Sequence, residues 1–318
     1  MKKFLKKIFK KLRIYFTHEL DSKLDKLTML HANLLSIQHK QLYRQQLMGG
    51  GAVDIRDFEF SAYSQNGEDG ILDLLIESLE LDSLHSSYPR AFVEFGVQDY
   101  TESNTRYLLK KRNFMGFIID GSATHIESIK QDGIYWKHDL EAQCAFITKD
   151  NINTLIKQWL DSRKLDNIAI LSIDIDGVDY FVWEAIECVK PAIVVVEYNA
   201  LFGESLCVSV PYRADFDRFL AHHSGLYFGA SIKALISLGK SKGYIFVGAD
   251  SSGTNAFFIH QSLESKLPLS TAPLQEYCST HHARQSRNTF GNLSFLQGDE
   301  RLKAIKHLPL HTCKDFSH

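Results

Sequence analysis

Short runs of β-branched and aromatic residues alternate with helical patterns through the middle of this chain, and this alternation restricts its fold more than any other feature. The four clearest runs cover 91–95, 116–120, 168–174 and 192–197. The last two are rich in isoleucine and valine, which is typical of strands buried on both faces of a parallel sheet. Helical patterns fill the segments between the runs, at about 103–112, 123–131, 151–163 and 179–188. Such segments connect parallel strands, so the alternation predicts an α/β fold.

Two more strands are predicted after this region, at 244–247 and 256–259. The segment between them contains Asp-Ser-Ser-Gly (250–253), whose residues are common in turns. We therefore expect an antiparallel hairpin at an edge of the sheet. Residues 264–318 follow as a C-terminal extension whose role the sequence does not indicate.

The first 48 residues contain neither glycine nor proline and predict one long helix or two in series. Residues 1–16 hold seven basic side chains and no acidic one. Apolar residues recur there at helical spacing: Phe4, Leu5, Ile8, Phe9, Leu12, Tyr15 and Phe16. This pattern predicts a basic amphipathic helix that attaches the protein peripherally to an anionic membrane surface, on its cytoplasmic face. The alternative is a helix that packs on the rest of the chain.

The next segment, 17–48, has a different periodicity. A heptad spacing relates five aliphatic residues: Leu20, Leu27, Leu30, Leu34 and Ile37. Lys23 and Gln41 interrupt the pattern at its two ends. We predict a helical stalk, similar to a coiled coil, that joins copies of the chain through residues 20–41; packing against the rest of the chain is the alternative. A glycine-rich hinge at 49–53 then separates it from a catalytic domain at 54–263.

Charge and cysteine content exclude several classes of protein. Outside residues 1–16 the chain carries 29 basic and 38 acidic side chains, a net charge of −9, which argues against nucleic-acid binding. The five cysteines are odd in number and lack CxxC spacing, so we expect reduced thiols rather than a disulfide framework or a zinc site. No stretch is long and apolar enough to predict a transmembrane helix.

Polar or small residues lie at the ends of the predicted strands or just after them. They are Glu94 and Gly96, Asp120, Asp139 near a weaker third strand, Asp174 and Asp176, and Glu197 and Asn199. In an open parallel sheet, ligands bind beyond the carboxyl ends of the strands. A carboxylate at the end of the second strand, Asp120, also suits hydrogen bonding to ribose hydroxyls. We therefore expect a ligand site at this edge of the sheet.

Several segments resemble the class I S-adenosylmethionine-dependent methyltransferases, and more narrowly the FkbM-like group, many of whose members act on sugars and polysaccharides. The matching motifs are Tyr63–Ile71 (YSQNGEDGI), Glu94–Val97 (EFGV), Glu102–Arg106 (ESNTR), Ile173–Asp179 (IDIDGVD) and Val196–Asn199 (VEYN). The likeness covers roughly residues 60–260. It implies a Rossmann-like, seven-stranded mixed sheet whose last strand is antiparallel.

The resemblance also implies roles for individual residues. Glu94 and Gly96 would line the methionine end of S-adenosylmethionine, Asp120 would hold the ribose, and Asp139 would lie near the adenine amine. Asn104 would touch the cofactor or, alternatively, cap the following helix. The chain departs from the family pattern after the first strand, where Gln98 and Tyr100 stand in place of further glycines.

The Asp174-Ile-Asp176-Gly-Val-Asp179 segment is the most informative motif. Alternation along a strand places Asp174 and Asp176 on the same side, and such carboxylates repel one another unless a cation or a raised pKa relieves them. Asp174, Glu197 and Asn199 are candidate oxygen ligands for Mg²⁺ or another divalent cation. Asp176 and Asp179 are candidate catalytic residues, with Asp179 accepting the acceptor's proton. Alternatively, these acids cap helices and bind the cofactor without a metal.

The sequence therefore predicts a methyltransferase that acts on a hydroxyl of a glycan or sugar-containing precursor at the cytoplasmic face of a membrane. Two other functions remain open. Asp174-x-Asp176 could be the metal-binding motif of a nucleotide-sugar glycosyltransferase. The substituted loop at Gln98 and Tyr100 is also compatible with a non-catalytic, membrane-anchored scaffold.

Overall fold

The computed structural model describes residues 2–49, 52–267, 270–278 and 285–316. The helices in these ranges are α1 (Lys2–Met48), α2 (Glu68–Ser78), α3 (Arg106–Lys111), α4 (Ala123–Gln131), α5 (Gly133–Lys137), α6 (Ile152–Arg163), α7 (Asp179–Ala185), α8 (Arg218–Ala221), α9 (Ile232–Ser241), α10 (Leu274–Tyr277) and α11 (Asp299–Ile305). The strands are β1 (Ala91–Phe95), β2 (Met115–Asp120), β3 (Leu140–Cys144), β4 (Ile170–Ile173), β5 (Ile193–Glu197), β6 (Val208–Ser209), β7 (Tyr244–Ala249), β8 (Asn255–His260) and β9 (His311–Thr312).

Seven of the strands form one mixed sheet in the order β3-β2-β1-β4-β5-β8-β7. The first five are parallel, whereas β8 runs antiparallel to both β5 and β7. This topology confirms the predicted α/β class, the seven-stranded mixed sheet and the closing antiparallel hairpin. Of the two hairpin strands, β7 lies at the edge and β8 lies inside the sheet, next to β5.

The central strands are buried on both faces because their side chains alternate between two hydrophobic clusters. Val194 of β5 joins one cluster with Phe117 and Trp159, whose rings stack at 5.4 Å. Ile193, the preceding residue, packs on the other side with Phe58. Burial on both sides explains why these strands contain so few polar residues before their carboxyl ends.

Helix α1 is continuous from Lys2 to Met48, so no break in the helix marks the predicted boundary after residue 16. The part beyond residue 24 packs on the rest of the chain. Ser36 donates a hydrogen bond to Asp73 of α2 at 2.6 Å, and Asp25 accepts one from Tyr63 at 2.7 Å. The side chains of residues 1–18, and Gly50 and Gly51 of the predicted hinge, lie outside the described residues. No helix in the described part of the chain is long and apolar enough to cross a membrane.

The C-terminal extension packs on the sheet domain. Strand β9 pairs with β6, and the carbonyl of the buried Tyr277 accepts a hydrogen bond from the Tyr198 hydroxyl at 2.6 Å. All five cysteines lie within the described ranges, and none of them is bonded to another.

Candidate active site

Two joined cavities lie beyond the carboxyl ends of β1, β2 and β4, at the point where the strand order reverses. The larger has a volume of about 350 Å³ and the smaller about 140 Å³. Gly96, Gln98 and Asp174 line both, so the two cavities form one crevice. Ligands of open α/β sheets bind at this position, and we call it the crevice below.

Gly96 is required at the floor of the crevice for two reasons. Its φ of +73° lies in the left-handed region, which side chains disfavour. A Cβ atom added there would also lie 1.5 Å from the carbonyl oxygen of Asp174. The turn after β1 therefore contacts the end of β4 backbone to backbone, and only glycine permits this approach.

The loop that follows has a left-handed backbone at two residues that are not glycine. Gln98 has a φ of +49° and Tyr100 a φ of +62°. Gln98 donates its backbone N–H to Asp120 at 2.8 Å, and the buried Tyr100 hydroxyl lies 3.0 Å from the Thr105 hydroxyl. These hydrogen bonds stabilise the loop and offset part of the free-energy cost of a left-handed backbone at Gln98 and Tyr100.

Asp120 ends β2 and lines the larger cavity. Its carboxylate accepts hydrogen bonds from the backbone N–H groups of Gln98 and Ser122, both at 2.8 Å. The side chains of Phe146 and Ile147 line the same cavity. The structure thus places Asp120 in the crevice beside an apolar surface.

Glu94 is buried among hydrogen-bond donors rather than directed at open space. Its carboxylate accepts from the backbone N–H groups of Asn104 and Thr105 at 3.0 and 3.3 Å and from the hydroxyl of Ser103. Burial raises its pKa. Asn104 does not cap helix α3; its amide donates to the Ser172 hydroxyl at 3.2 Å. Glu94 therefore positions Ser103 and Asn104, which line the smaller cavity.

The smaller cavity is polar, and one of its lining atoms lacks a partner. The Asn255 amide donates to Glu68 at 2.8 Å, while its Oδ1 atom is buried and accepts no hydrogen bond from the described residues. A buried acceptor without a donor is costly. Because Glu68 and Glu94 line the same cavity, a cationic donor such as an ammonium group fits this environment.

Three carboxylates meet where β4 and β5 end. Carboxylate oxygens of Asp174, Asp176 and Glu197 lie within 4.8 Å of one another, an arrangement that could hold a metal ion. Burial, together with the negative charges of Asp176 and Asp179, raises the pKa of Asp174 well above its usual value, and a hydrogen bond with Glu197 opposes this shift. Asp176 also forms an ion pair with Arg218 of α8.

Asp179 does not face the crevice as an open carboxylate. It is fully buried and accepts hydrogen bonds from the backbone N–H groups of Ile175 and Gly177 at 2.8 and 3.0 Å. Burial raises its pKa to about 6. Because both oxygens hold the turn after β4, this geometry departs from the expectation that Asp179 takes a proton from the acceptor.

Asn199 departs from its expected role as a metal ligand. Its amide donates to the backbone carbonyls of Leu226 and Phe228 at 3.0 and 2.9 Å, and its oxygen accepts from the N–H of Leu201 at 3.1 Å. These bonds occupy the whole amide group. The group of residues that could bind a cation therefore contains Asp176 instead of Asn199.

Asp139 lies at the amino-terminal end of the parallel strands, opposite the end that forms the crevice. Strand β3 begins at Leu140, so Asp139 precedes the strand instead of following it. Its backbone carbonyl accepts from the N–H of Gly116 near the start of β2, and its carboxylate pairs with Arg163 at 2.9 Å. The structure therefore does not bring Asp139 to the crevice; Phe146, which follows β3, lies there instead.

Arg218 and Phe146 were not singled out from the sequence. Neither belongs to a motif, and Arg218 reaches Asp176 from 42 residues away along the chain. A search for basic residues near an acidic cluster could not have selected Arg218, because the contact depends on how residues 216–219 pack at the side of the crevice.

No family model and no curated protein matches this sequence. Solved structures with a similar fold include the carbon methyltransferase CurJ, at 11% identity and a TM-score of 0.38 over 64% of this chain and 56% of that one. PKMT2 from Rickettsia typhi, in complex with AdoHcy, is 12% identical with a TM-score of 0.37 over 59% and 52% of the two chains. An S-adenosylmethionine-dependent methyltransferase from Clostridium acetobutylicum is 10% identical with a TM-score of 0.37 over 70% and 99%. The chain spans about half the length of the first two, and likeness at this level concerns the fold alone.

Proposed function

We propose that this protein is an S-adenosylmethionine-dependent methyltransferase that acts on a hydroxyl oxygen of a glycan or other sugar-containing precursor. One observation carries the proposal. A single crevice at the switch point of the sheet has a nucleoside-suited end at Asp120 and a cation-suited end at Asn255. The choice of a sugar-containing acceptor rests on the motifs that resemble the FkbM-like group.

The residues of the crevice fit this cofactor. Asp120 Oδ1 has two neighbours, the Ser122 N–H and His125 Nδ1, whereas Oδ2 accepts only the Gln98 N–H and can accept a further hydrogen bond from a ribose hydroxyl. Phe146 and Ile147 offer an apolar surface to the adenine ring. Asn255 Oδ1 and Glu68 can accept hydrogen bonds from the ammonium group of the methionyl part. The volume of the larger cavity, about 350 Å³, lies within the range of small-molecule sites.

When bound, S-adenosylmethionine would supply a methyl group on a positively charged sulfur. The carboxylates at the ends of β4 and β5 would bind the acceptor hydroxyl and take its proton. We assign this role to the carboxylates of Asp174 and Glu197, because burial and the charges of Asp176 and Asp179 raise the pKa of Asp174 and make its ionised form a stronger base. Asp176, oriented by Arg218, would contact the acceptor.

A divalent cation such as Mg²⁺ is the second element of the proposal. Asp174, Asp176 and Glu197 offer oxygen ligands, which hard cations prefer. A bound cation would relieve the repulsion among these carboxylates and loosen the ion pair between Asp176 and Arg218. Calorimetric titration with MgCl₂ should detect binding to the wild-type protein and not to Asp176→Asn. Full activity in excess EDTA would remove the cation from the proposal and leave the carboxylate pair as base.

Binding of S-adenosylhomocysteine, measured by calorimetry, tests the cofactor assignment. Asp120→Asn should lose charge-assisted hydrogen bonds worth about 1.5–3 kcal/mol each, a weakening of at least tenfold. Asp139→Asn is the matched control. Asp139 lies at the other end of the strands, paired with Arg163, so this variant should bind S-adenosylhomocysteine as the wild type does. Equal affinity of wild type and Asp120→Asn would remove Asp120 from the ribose role.

The same titration separates the other functions. Binding of UDP- or GDP-sugars in the absence of any S-adenosylhomocysteine binding would favour a glycosyltransferase that uses Asp174 and Asp176. Binding of neither ligand would favour the non-catalytic scaffold.

We further propose that residues 1–16 hold the protein on the cytoplasmic face of an anionic membrane. Seven basic side chains, each worth about 1 kcal/mol near such a surface, must outweigh the repulsion of the remaining chain at −9. Deletion of residues 1–16 should release the protein from anionic vesicles without changing its affinity for S-adenosylhomocysteine. Replacement of the seven basic residues by glutamine should do nearly the same. Equal co-sedimentation of intact and truncated protein would contradict the proposal.

A further inference from the structure

Helix α1 has one face that is buried and an opposite face that is exposed. One face packs on the rest of the chain. Ala32, Ser36 and Tyr43 on this face are buried, and the ring of His39 lies 5.4 Å from that of Phe58. The ion pair between Lys40 and Glu77, at 2.7 Å, holds the same face on α2. The helix is therefore fixed in orientation from about residue 25 onward, and its opposite side points away from the domain.

The opposite side carries a stripe of large aliphatic side chains, each between 52% and 61% exposed. We call it the leucine face; it consists of Leu20, Leu24, Leu27, Leu30, Leu34 and Ile37. No described residue of this chain covers it. Soluble proteins rarely leave so large a contiguous apolar surface in water, and such a surface usually marks an interaction site.

The spacing of the leucine face identifies its partner as a second helix. Leu20, Leu27 and Leu34 repeat every seven residues, and Leu30 and Ile37 occupy the intervening heptad positions. A seven-residue repeat keeps a seam facing another helix as the two supercoil, which a flat surface does not require. A second copy of α1 presents the same seam, so the face is self-complementary.

Charge distinguishes a second copy from a membrane as the occupant. Residues 19–46 carry four basic and three acidic side chains, whereas residues 1–16 carry seven basic and none acidic. Near the leucine face, Lys23 is paired with Glu19 at 2.8 Å. A nearly neutral flank gives little attraction to anionic lipid but does not oppose pairing of two identical helices.

We propose that two copies of this protein pair through the leucine face, with α1 of one copy packed on α1 of the other. The domain of each copy lies on the far side of its own helix, because the buried face and the leucine face are about half a turn apart. The contact is isologous, so it closes as a dimer and does not extend into a filament.

Light scattering after size-exclusion chromatography of the full chain, without detergent, tests the proposal. The wild type should elute with twice the mass of one chain. The double variant Leu27→Glu and Leu34→Glu should have the mass of one chain, because charges at the centre of the seam repel across the two-fold axis. Leu84→Glu is the matched control; Leu84 is 94% exposed in a loop, and its variant should remain dimeric.

Circular dichroism and S-adenosylhomocysteine binding show whether the double variant is folded. Leu27 and Leu34 are exposed in a single copy of the protein, so the variant should keep its helix content and its fold. If it does not fold, Leu27→Gln with Leu34→Gln provides the same test with a smaller change, and a shift of the monomer–dimer equilibrium toward monomer is expected.

A wild-type mass of one chain at every concentration up to the solubility limit would overturn the proposal. So would a wild type and a double variant of equal mass. Loss of vesicle binding by the double variant, with both proteins monomeric, would assign the leucine face to lipid instead.

Discussion

Gly96→Ala tests whether the backbone contact between β1 and β4 shapes the crevice. Two costs add in this variant. Alanine in the left-handed region costs about 1–2 kcal/mol. Its Cβ would lie 1.5 Å from the Asp174 carbonyl oxygen, so the end of β4 must move, and such overpacking costs about 1–3 kcal/mol more. We expect the free energy of unfolding to fall by about 2–5 kcal/mol, a large share of the about 5–15 kcal/mol of a typical domain.

The matched control is Gly291→Ala. Gly291 has a φ of +81°, close to the +73° of Gly96, but a Cβ there would meet no atom within 4 Å. Urea unfolding should therefore show only the conformational cost for Gly291→Ala and the additional steric cost for Gly96→Ala. Because the displaced carbonyl belongs to Asp174, affinity for S-adenosylhomocysteine should also fall in the Gly96 variant alone. Equal destabilisation by the two substitutions would refute the argument from close approach.

Three further predictions concern buried charges. Arg112→Ala should lower the free energy of unfolding by about 3–5 kcal/mol, because it leaves the buried carboxylate of Asp73, 2.7 Å from the guanidinium, without its cation; a urea midpoint equal to wild type would contradict this. Burial raises the pKa of Asp69 to about 7, so the folded protein holds this proton more tightly than the unfolded chain and stability falls as pH rises from about 4 to 7. The free energy of unfolding, measured across that range, should decline less steeply with pH for Asp69→Asn than for the wild type. Parallel curves would exclude Asp69 as a source of the pH dependence. Asp179→Ala should cost about 1–3 kcal/mol for each of the two backbone N–H groups left unpaired, and loss of activity with unchanged stability would instead return Asp179 to a catalytic role.

The strands of the sheet could be predicted from the sequence because their burial leaves a local signature. The runs at 91–95 and 192–197 contain almost no polar residue before their ends, since both faces of β1 and β5 are covered. Asp120 and Asp174 were placed at the crevice for a related reason. Parallel strands bring their carboxyl ends to one edge, so the position of a residue in its strand sets its position in the fold.

Other residues depended on boundaries or contacts that periodicity does not encode. Asp139 was assigned to the end of a strand, but helix α5 precedes it and β3 begins one residue after it, so Asp139 lies where the strands start. Asp179 and Asn199 have the right chemistry for a catalytic site, yet their oxygens are taken by backbone N–H groups of neighbouring turns. The sequence shows which groups can bond, whereas their partners are chosen only when the loops fold.

Helix α1 separates the two kinds of information most clearly. Its composition determines that residues 2–48 are helical, and its spacing determines that Leu27, Leu30 and Leu34 share a face. Only the tertiary structure decides that Ala32 and Ser36 face the domain while the leucines face outward. The reason is physical: helical periodicity fixes the angles between side chains about one axis, but the free energy of burying each face depends on the surface that packs against it.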